Sequence, residues 1–466
     1  MGDTGRMTTP MAQDLAALQE HELRDLALRY DVPGPRYTSY PALPDWNGSF
    51  DADSWERHLT QLAAPDAAVA LYVHLPFCVA RCLYCGCNAT VTTRDEVVDR
   101  YLARLAREIA WASRAIGARP AISAMHWGGG TPNFPGLPQL ERLVLDLDTA
   151  FDLHDGTERS IEADPRLVTR EQLRGLRALG FTRISFGVQD LDADVQQAIG
   201  RVQPESLVRD VVAMARDEGF TGINVDLIYG LPRQTRDSFA RTVDSAIGFG
   251  ADRLACFGYA HVPWMRAHQR RIDERTLPGG PERMLLFHDA VQRLVQAGYV
   301  WLGFDHFARP NDPLAVAEHE GTLHRNFMGY TTRDGEHLLV LGVSAISEVA
   351  GRFVQSESAL GAWQRGIDTN QVPMARRHVQ SADDAWRARA IMHLLCQAEL
   401  PDRLWLDDPE ALATAYAPFV EDGLLRRESD GWRVTTRGRF VLRNLAFPLD
   451  PHRRATSSAP QFSRAV

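Results

Sequence analysis

Short apolar runs recur along the chain at intervals too long for hairpins. They fall at 69–75 (Val-Ala-Leu-Tyr-Val-His-Leu), 121–127, 158–163, 182–188, 222–228 and 252–259. Their length and β-branched content read as strands. Between them lie stretches of helical period: from Arg94 to Ile116, the residues Tyr101, Leu102, Leu105, Ile109 and Ala110 form one apolar face. Six such βα repeats predict a parallel sheet, either a curved open barrel or a doubly wound sheet. Residues 1–66 lack this alternation and read as an irregular, partly helical arm. Within the arm, the prolines and glycine of Gly34-Pro-Arg-Tyr-Thr-Ser-Tyr-Pro41 forbid a continuous helix. From about 365 the pattern turns helical and ends in a hairpin, with Leu424–Glu428 and Trp432–Thr435 flanking Ser429-Asp430-Gly431. The expected division is an N-terminal arm (1–66), a barrel-type catalytic domain (67–364) and a small, mainly helical, winged-helix-like C-terminal domain (365–466).

Polar residues gather where the predicted strands end: His74 to Cys87, Gly128-Gly-Gly-Thr131, Glu162, Gln189, Asp226 and Tyr259-Ala-His261. In a barrel these ends meet at one mouth, where active sites sit. Such dispersal favours a barrel over a single nucleotide crevice.

Charge and composition narrow the function classes. A net charge of −9 provides no global basic field for nucleic acid or an anionic membrane. The C-terminal arginines 426, 427, 433, 437, 439 and 443 make a locally basic segment. Without the aromatic and glycine signatures of nucleic-acid modules, it reads as a packing or solvated surface. No run approaches 18 apolar residues, so no membrane span is expected. The first residues lack a signal-peptide core, and Arg6 spoils a myristoylation signal. A cytoplasmic location is the expectation, as a monomer because no self-association pattern stands out. All 51 Lys+Arg residues are arginine. That removes the lysine a pyridoxal phosphate Schiff base or a P-loop requires.

Four of the six cysteines lie within ten positions, as Cys78, Cys82, Cys85 and Cys87. In a cysteine-poor chain this density points to a metal or cluster site, not a disulfide framework. Structural zinc draws on two separated ligand pairs, whereas these thiols crowd one loop. One loop can deliver three thiolates to three corners of a cubane [4Fe–4S] cluster, leaving one iron open to a small molecule. Cys256 and Cys396 read as ordinary core residues.

The x₃-then-x₂ spacing with Tyr84 before the third cysteine resembles the radical S-adenosylmethionine (SAM) superfamily. The following Cys-Gly-Cys is similar to one of its families, the oxygen-independent coproporphyrinogen III oxidases. Further motifs carry that resemblance over nearly the whole chain: Gly34 to Pro41, His126-Trp-Gly-Gly-Gly-Thr-Pro132, Ile161-Glu-Ala-Asp-Pro165 and Gly187-Val-Gln-Asp190. They continue as Asn224-Val-Asp-Leu-Ile-Tyr-Gly-Leu-Pro232, Phe304-Asp-His-Phe-Ala-Arg-Pro310, Leu323-His-Arg-Asn-Phe327 and Pro460-Gln-Phe-Ser-Arg464.

The resemblance implies an α/β fold built on a partial (β/α)6 barrel. The implied reaction is oxidative decarboxylation of two propionates of coproporphyrinogen III to vinyls, giving protoporphyrinogen IX. A 5′-deoxyadenosyl radical made from SAM at a [4Fe–4S] cluster would drive it, with an unidentified electron donor and acceptor. Cys78, Cys82 and Cys85 would be the cluster ligands. Tyr72, Tyr84, Gly129, Gly130, Thr131, Glu162, Gln189, Arg201, Asp226, Ala260 and Ile346 would bind SAM, divided between two molecules. Tyr72, Cys87 and Glu162 are the candidate catalytic groups.

Propionates call for guanidinium partners, and Arg36, Arg309 and Arg325 are candidates. His74, His261 and His306 could relay protons. The family usually continues Asn-Phe-Gln-Gly-Tyr-Thr-Thr, but Met328 stands here at the glutamine, which removes an amide. A related haem chaperone and a radical SAM methyltransferase are the competing expectations. The Gly34–Pro41 stretch, Cys87 and the C-terminal Gln461-Phe-Ser-Arg464 argue against them.

Overall fold

The computed structural model describes residues 10–46, 48, 51–333, 337–453 and 462–464. The six predicted strands form as β1 (Val69–Leu75), β2 (Ile122–Gly129), β3 (Glu158–Ala163), β4 (Arg183–Gln189), β5 (Gly222–Tyr229) and β6 (Arg253–Gly258). Six further strands join the same sheet: β7 (Val300–Leu302), β8 (His306–Ala308), β9 (His337–Leu341), β10 (Ile346–Val349), β11 (Arg352–Ser356) and β12 (Met374–Val379). The order is β12-β11-β10-β9-β1-β2-β3-β4-β5-β6-β8-β7. From β9 through β6 every pairing is parallel, and both flanks are antiparallel.

Burial along the strands explains their sequences. β1 is buried at six of its seven positions, as expected of a strand covered on both faces. β4 instead alternates: Ile184, Phe186 and Val188 pack beneath helices, while Arg183, Ser185, Gly187 and Gln189 turn the other way and stay half-buried. β5 repeats this with Val225 and Leu227 on the packed side and Asn224, Asp226 and Ile228 on the other. Of these inward residues, Arg183, Ser185, Asn224 and Asp226 line a cavity of about 290 Å³ inside the curved sheet, together with His126, Ser160, Glu162, His306 and Met328. A period of two thus divides each strand into core and lumen.

Helix α1 (Asp95–Ile116) buries Val98, Tyr101, Leu105, Ile109, Ala112 and Ile116 and ends at left-handed Gly117, whose N–H bonds Ser113 O at 3.1 Å. Ala110, expected on this face, is exposed. One residue beyond Ile109 is about 100° further round the helix.

The expected boundary at 364/365 falls inside the helix Leu360–Asp368, and β12 beyond it still pairs with β11. After that come helices Ala382–Gln397 and Pro409–Glu421 and a three-stranded ribbon (Glu399–Pro401, Leu425–Glu428, Gly431–Val434). Its arginines are engaged within the chain. Arg426 and Arg433 pair with Glu428, Arg427 with Asp402 and Arg437 with Glu22, and Arg439 donates to Trp301 O at 2.7 Å. Helix Glu20–Tyr30 packs on α2 (Gly280–Gln296). Tyr37 binds Asp450 at 3.0 Å, which ties the N-terminal arm to the C-terminal segment.

Candidate active site

The loop after β1 carries the cysteines, and its path depends on the three glycines at the end of β2. Gly130 has no room for a side chain: a Cβ there would lie 2.7 Å from the Pro76 carbonyl carbon and 2.8 Å from Phe77 O. Gly129, at φ +123°, faces the His74 ring, and Gly128 faces the Tyr72 hydroxyl. These glycines therefore let β2 close onto β1 and the cysteine loop. The Gly130 N–H bonds Leu75 O at 2.9 Å, which fixes the approach.

A second segment holds the loop from outside. Gln269 donates to Tyr84 O at 2.8 Å and Arg266 to Gly86 O at 2.9 Å, while the His268 ring bonds Cys85 O at 2.8 Å. Nothing in the periodicity marks residues 262–272, because the segment is a chain of short turns between β6 and α2.

All six cysteines are free thiols, and Cys256 and Cys396 are buried as expected. Cys78, Cys82, Cys85 and Cys87 line a cavity of about 470 Å³ at the mouth of the barrel. Each of the first three sulfurs meets at least one hydrogen-bond donor. Thr131 Oγ1 lies 3.3 Å from Cys78 Sγ, Arg201 Nη1 3.6 Å from Cys82 Sγ, and the Cys87 N–H 3.3 Å from Cys85 Sγ. Donors aimed at sulfur favour thiolate, the form that ligates iron. Hydrogen bonding from Cys87 brings Cys85 down to about 6, whereas burial pushes Cys78 up against the donation from Thr131.

Arg201 is buried among three partners: besides Cys82, it reaches Asp164 Oδ2 at 3.1 Å and Gly187 O at 2.6 Å. Arg166 holds Asp164 from the other side, with its Nη2 2.6 Å from Oδ2. Their positive charges keep the buried Asp164 carboxyl below its usual range. Glu162 accepts from the Gly129 N–H at 3.3 Å and stands 3.5 Å from His126 Nε2. Asp226 accepts from Ser185 at 2.9 Å and Asn224 at 2.7 Å; burial, then the nearby Glu162 charge, raises it to about 6. Gln189 ends β4 at φ +71°, where the register with β5 shifts, and this turns its side chain into the mouth.

Tyr84, Gly129, Gly130, Thr131, Glu162, Gln189, Arg201, Asp226 and Ala260 thus share the cavity of the four cysteines. Tyr72 and Ile346 are not among its lining residues. Tyr72 lies under Gly128 with its ring against His126, and Ile346 opens β10. Among the arginines proposed for propionates, Arg36 lines the mouth. Arg309 does not: it follows β8, beyond the start of β6, and stacks on Tyr299 at 4.0 Å. Arg325 is clamped between Phe304 and Tyr330, with Asp305 3.8 Å away. His74 bonds Asn88 O, His261 bonds Tyr259 and Glu274, and His306 bonds Asp305, so each histidine already has a structural partner. Of the Pro460–Arg464 motif, Pro460 and Gln461 lie outside the described residues, as does Arg6. Arg81, Asp164 and Arg166 also belong to the mouth, although sequence reasoning does not single them out.

The donor set suits a cubane cluster. Three separate thiols, each with its own donor, border one cavity, while no three His, Cys, Asp or Glu side chains among the described residues gather as a single-ion site. A cubane spreads its ligands over different irons.

Comparison with known proteins agrees. The model of the Radical SAM superfamily matches residues 72–246. An oxygen-independent coproporphyrinogen III oxidase of Synechocystis sp. is 37% identical over 454 residues, 95% of this chain and 97% of its own. That of Escherichia coli K12 is 38% identical over 452 residues, 95% and 98%. The solved coproporphyrinogen III oxidase of Escherichia coli, described as a radical SAM enzyme, superposes with a TM-score of 0.85 at 37% identity, covering 90% of this chain and 97% of that one. Identity of 37–38% over 95% of the chain, with the same fold, leaves one conclusion: this chain belongs to the oxygen-independent coproporphyrinogen III oxidases of the radical SAM superfamily.

Proposed function

We propose that this protein converts coproporphyrinogen III to protoporphyrinogen IX without oxygen, turning two propionates into vinyls with release of two CO₂. The observation that carries the reading is full-length similarity to named oxidases, joined to three thiols that each meet a donor at the barrel mouth. A radical SAM oxidase works with a [4Fe–4S] cluster and SAM. When bound, these supply hydrogen-atom abstraction from an unactivated C–H bond, the hard step that cofactors carry.

The chain's own residues have separate tasks in this reading. Cys78, Cys82 and Cys85 ligate the cluster, and Thr131, Arg201 and the Cys87 N–H stabilise their charge. Glu162 and Asp226 accept hydrogen bonds from the amino and hydroxyl groups of SAM, and Gln189 and Tyr84 fix its orientation. Ala260 and the Gly129–Gly130 backbone form the wall. Tyr72 and Ile346 stand outside that cavity; the proposal keeps two SAM molecules on the family resemblance alone. Tyr72, Cys87 and Glu162 remain its catalytic candidates. The lumen, which shares Glu162 and Asp226 with the mouth, gives the tetrapyrrole its approach.

The similar relatives carry the oxidase name, which favours neither a haem chaperone nor a methyltransferase. No helix among the described residues is long and apolar enough to cross a membrane. The proposal includes a cytoplasmic monomer, an electron donor and an electron acceptor. It also takes 67–379 as the catalytic unit, because the sheet continues to Val379. Anaerobic incubation with coproporphyrinogen III deuterated at the propionate β-carbons tests the function. Deuterium should appear in 5′-deoxyadenosine; unlabelled 5′-deoxyadenosine formed alongside vinyl product would contradict it.

A further inference from the structure

Three consecutive carbonyls of the cysteine loop, those of Tyr84, Cys85 and Gly86, are each bound by a side chain from one turn after β6. Gln269 donates to Tyr84 O at 2.8 Å, the His268 ring to Cys85 O at 2.8 Å and Arg266 to Gly86 O at 2.9 Å. A side chain that holds a carbonyl holds a whole peptide plane, because a trans peptide is planar and points its N–H away from its C=O. The Gly86 carbonyl shares its plane with the Cys87 N–H, which donates to Cys85 Sγ at 3.3 Å. Arg266 and the Cys85 sulfur therefore occupy the two ends of one peptide. The Tyr84 carbonyl likewise shares its plane with the Cys85 N–H, which bonds Cys82 O at 3.3 Å.

Side-chain packing does not supply this orientation. Gly86 is exposed, and a Cβ there would meet nothing within 4 Å. The turn, by contrast, is anchored. Gln269 is fully buried, its Oε1 accepts from the Val262 N–H at 2.6 Å, and its amide also donates to Ala260 O at 3.2 Å. The Arg266 N–H bonds Val262 O at 2.9 Å, and its side chain reaches the loop through Nε alone. An N–H aimed at a ligating sulfur stabilises the more negative, reduced cluster, and such hydrogen bonds are among the levers that set iron–sulfur potentials.

We propose that Arg266 is a positioning residue that raises the reduction potential of the cluster. It does so by holding the Gly86–Cys87 peptide with its N–H on Cys85 Sγ, while His268 and Gln269 fix the two peptides before it. The assignment rests on the cluster reading above.

Anaerobic redox titration of the reconstituted holoenzyme, without SAM or substrate, tests it by electron paramagnetic resonance of the reduced cluster. At a fixed poise, Arg266→Met should lower the reduced-to-oxidised ratio about three- to tenfold, the scale of one hydrogen bond. After exchange into D₂O, the deuteron coupling of the Cys87 amide to the reduced cluster should weaken in the same variant. Arg266→Lys keeps one donor and should recover most of both. Arg270→Gln removes an exposed cation of the same turn and should change neither. A wild-type ratio in Arg266→Met with iron intact would overturn the proposal. So would a lowered ratio with unchanged coupling, or an equal drop in Arg270→Gln, since charge alone would then be acting. Loss of iron from Arg266→Met would overturn it in favour of a purely structural clamp. Wild type that takes up no cluster would overturn the cluster reading itself.

Discussion

Cys87 bonds the Cys85 sulfur with its thiol and also with its main chain, whose N–H donates across 3.3 Å. Replacing its side chain leaves the main-chain bond in place. Cys87→Ala should therefore keep about four irons per chain after reconstitution, whereas Cys78→Ala, which removes a proposed ligand, should lose the cluster. Turnover of Cys87→Ala should fall at least about tenfold if the thiol is catalytic. Iron analysis and product formation on the same sample check both. Iron loss in Cys87→Ala would make its thiol a ligand.

Arg201 joins three elements through one guanidinium. Arg201→Met leaves Asp164 to Arg166 alone and strips Cys82 of its donor. The cost should lie near 3 kcal/mol, the low end for a broken buried pair, because Arg166 stays. A urea midpoint measures it. Arg201→Lys should recover little, since an ammonium cannot span a fork of three partners.

Gly130→Ala tests the closure of β2 onto the cysteine loop. The added methyl meets backbone at 2.7 Å, which cannot swing aside as a side-chain tip can. Destabilisation of about 1–3 kcal/mol is expected, together with poorer cluster retention. Wild-type stability would show that the loop accommodates the methyl.

Asp226 is raised from the ordinary aspartate value to about 6. The folded state therefore holds this proton more tightly than the unfolded chain. Its contribution to stability is complete below about pH 4 and is lost as pH rises through about 6. The span corresponds to about 3 kcal/mol at most. Asp226→Asn should flatten that part of the pH–stability curve and stabilise the cofactor-free protein at pH 7.5, while weakening SAM binding. An unchanged curve would place the titration elsewhere.

Much of this was legible from residue order. Strand positions followed from apolar runs, and the cysteine spacing located the mouth. The fourth strand's Arg-Ile-Ser-Phe-Gly-Val-Gln already holds its division into lumen and core. Less was legible where residues act through distant backbone. The support from Arg266, His268 and Gln269 needs the turn-rich segment after β6 folded over the loop. The bond from Tyr37 to Asp450 likewise needs the two ends of the chain side by side. Arg309 shows the reverse error: a motif residue that packs on Tyr299 at the opposite end of the sheet. Likewise β9 runs parallel beside β1 although some 260 residues separate them, a pairing no local period encodes.

The most direct test of the account is product analysis under strict anaerobiosis. Reconstituted protein with SAM, a low-potential reductant, an electron acceptor and coproporphyrinogen III should yield protoporphyrinogen IX and two CO₂ per tetrapyrrole, and the Cys82→Ala variant should yield neither. Unchanged coproporphyrinogen III in the presence of an intact cluster and bound SAM would contradict it.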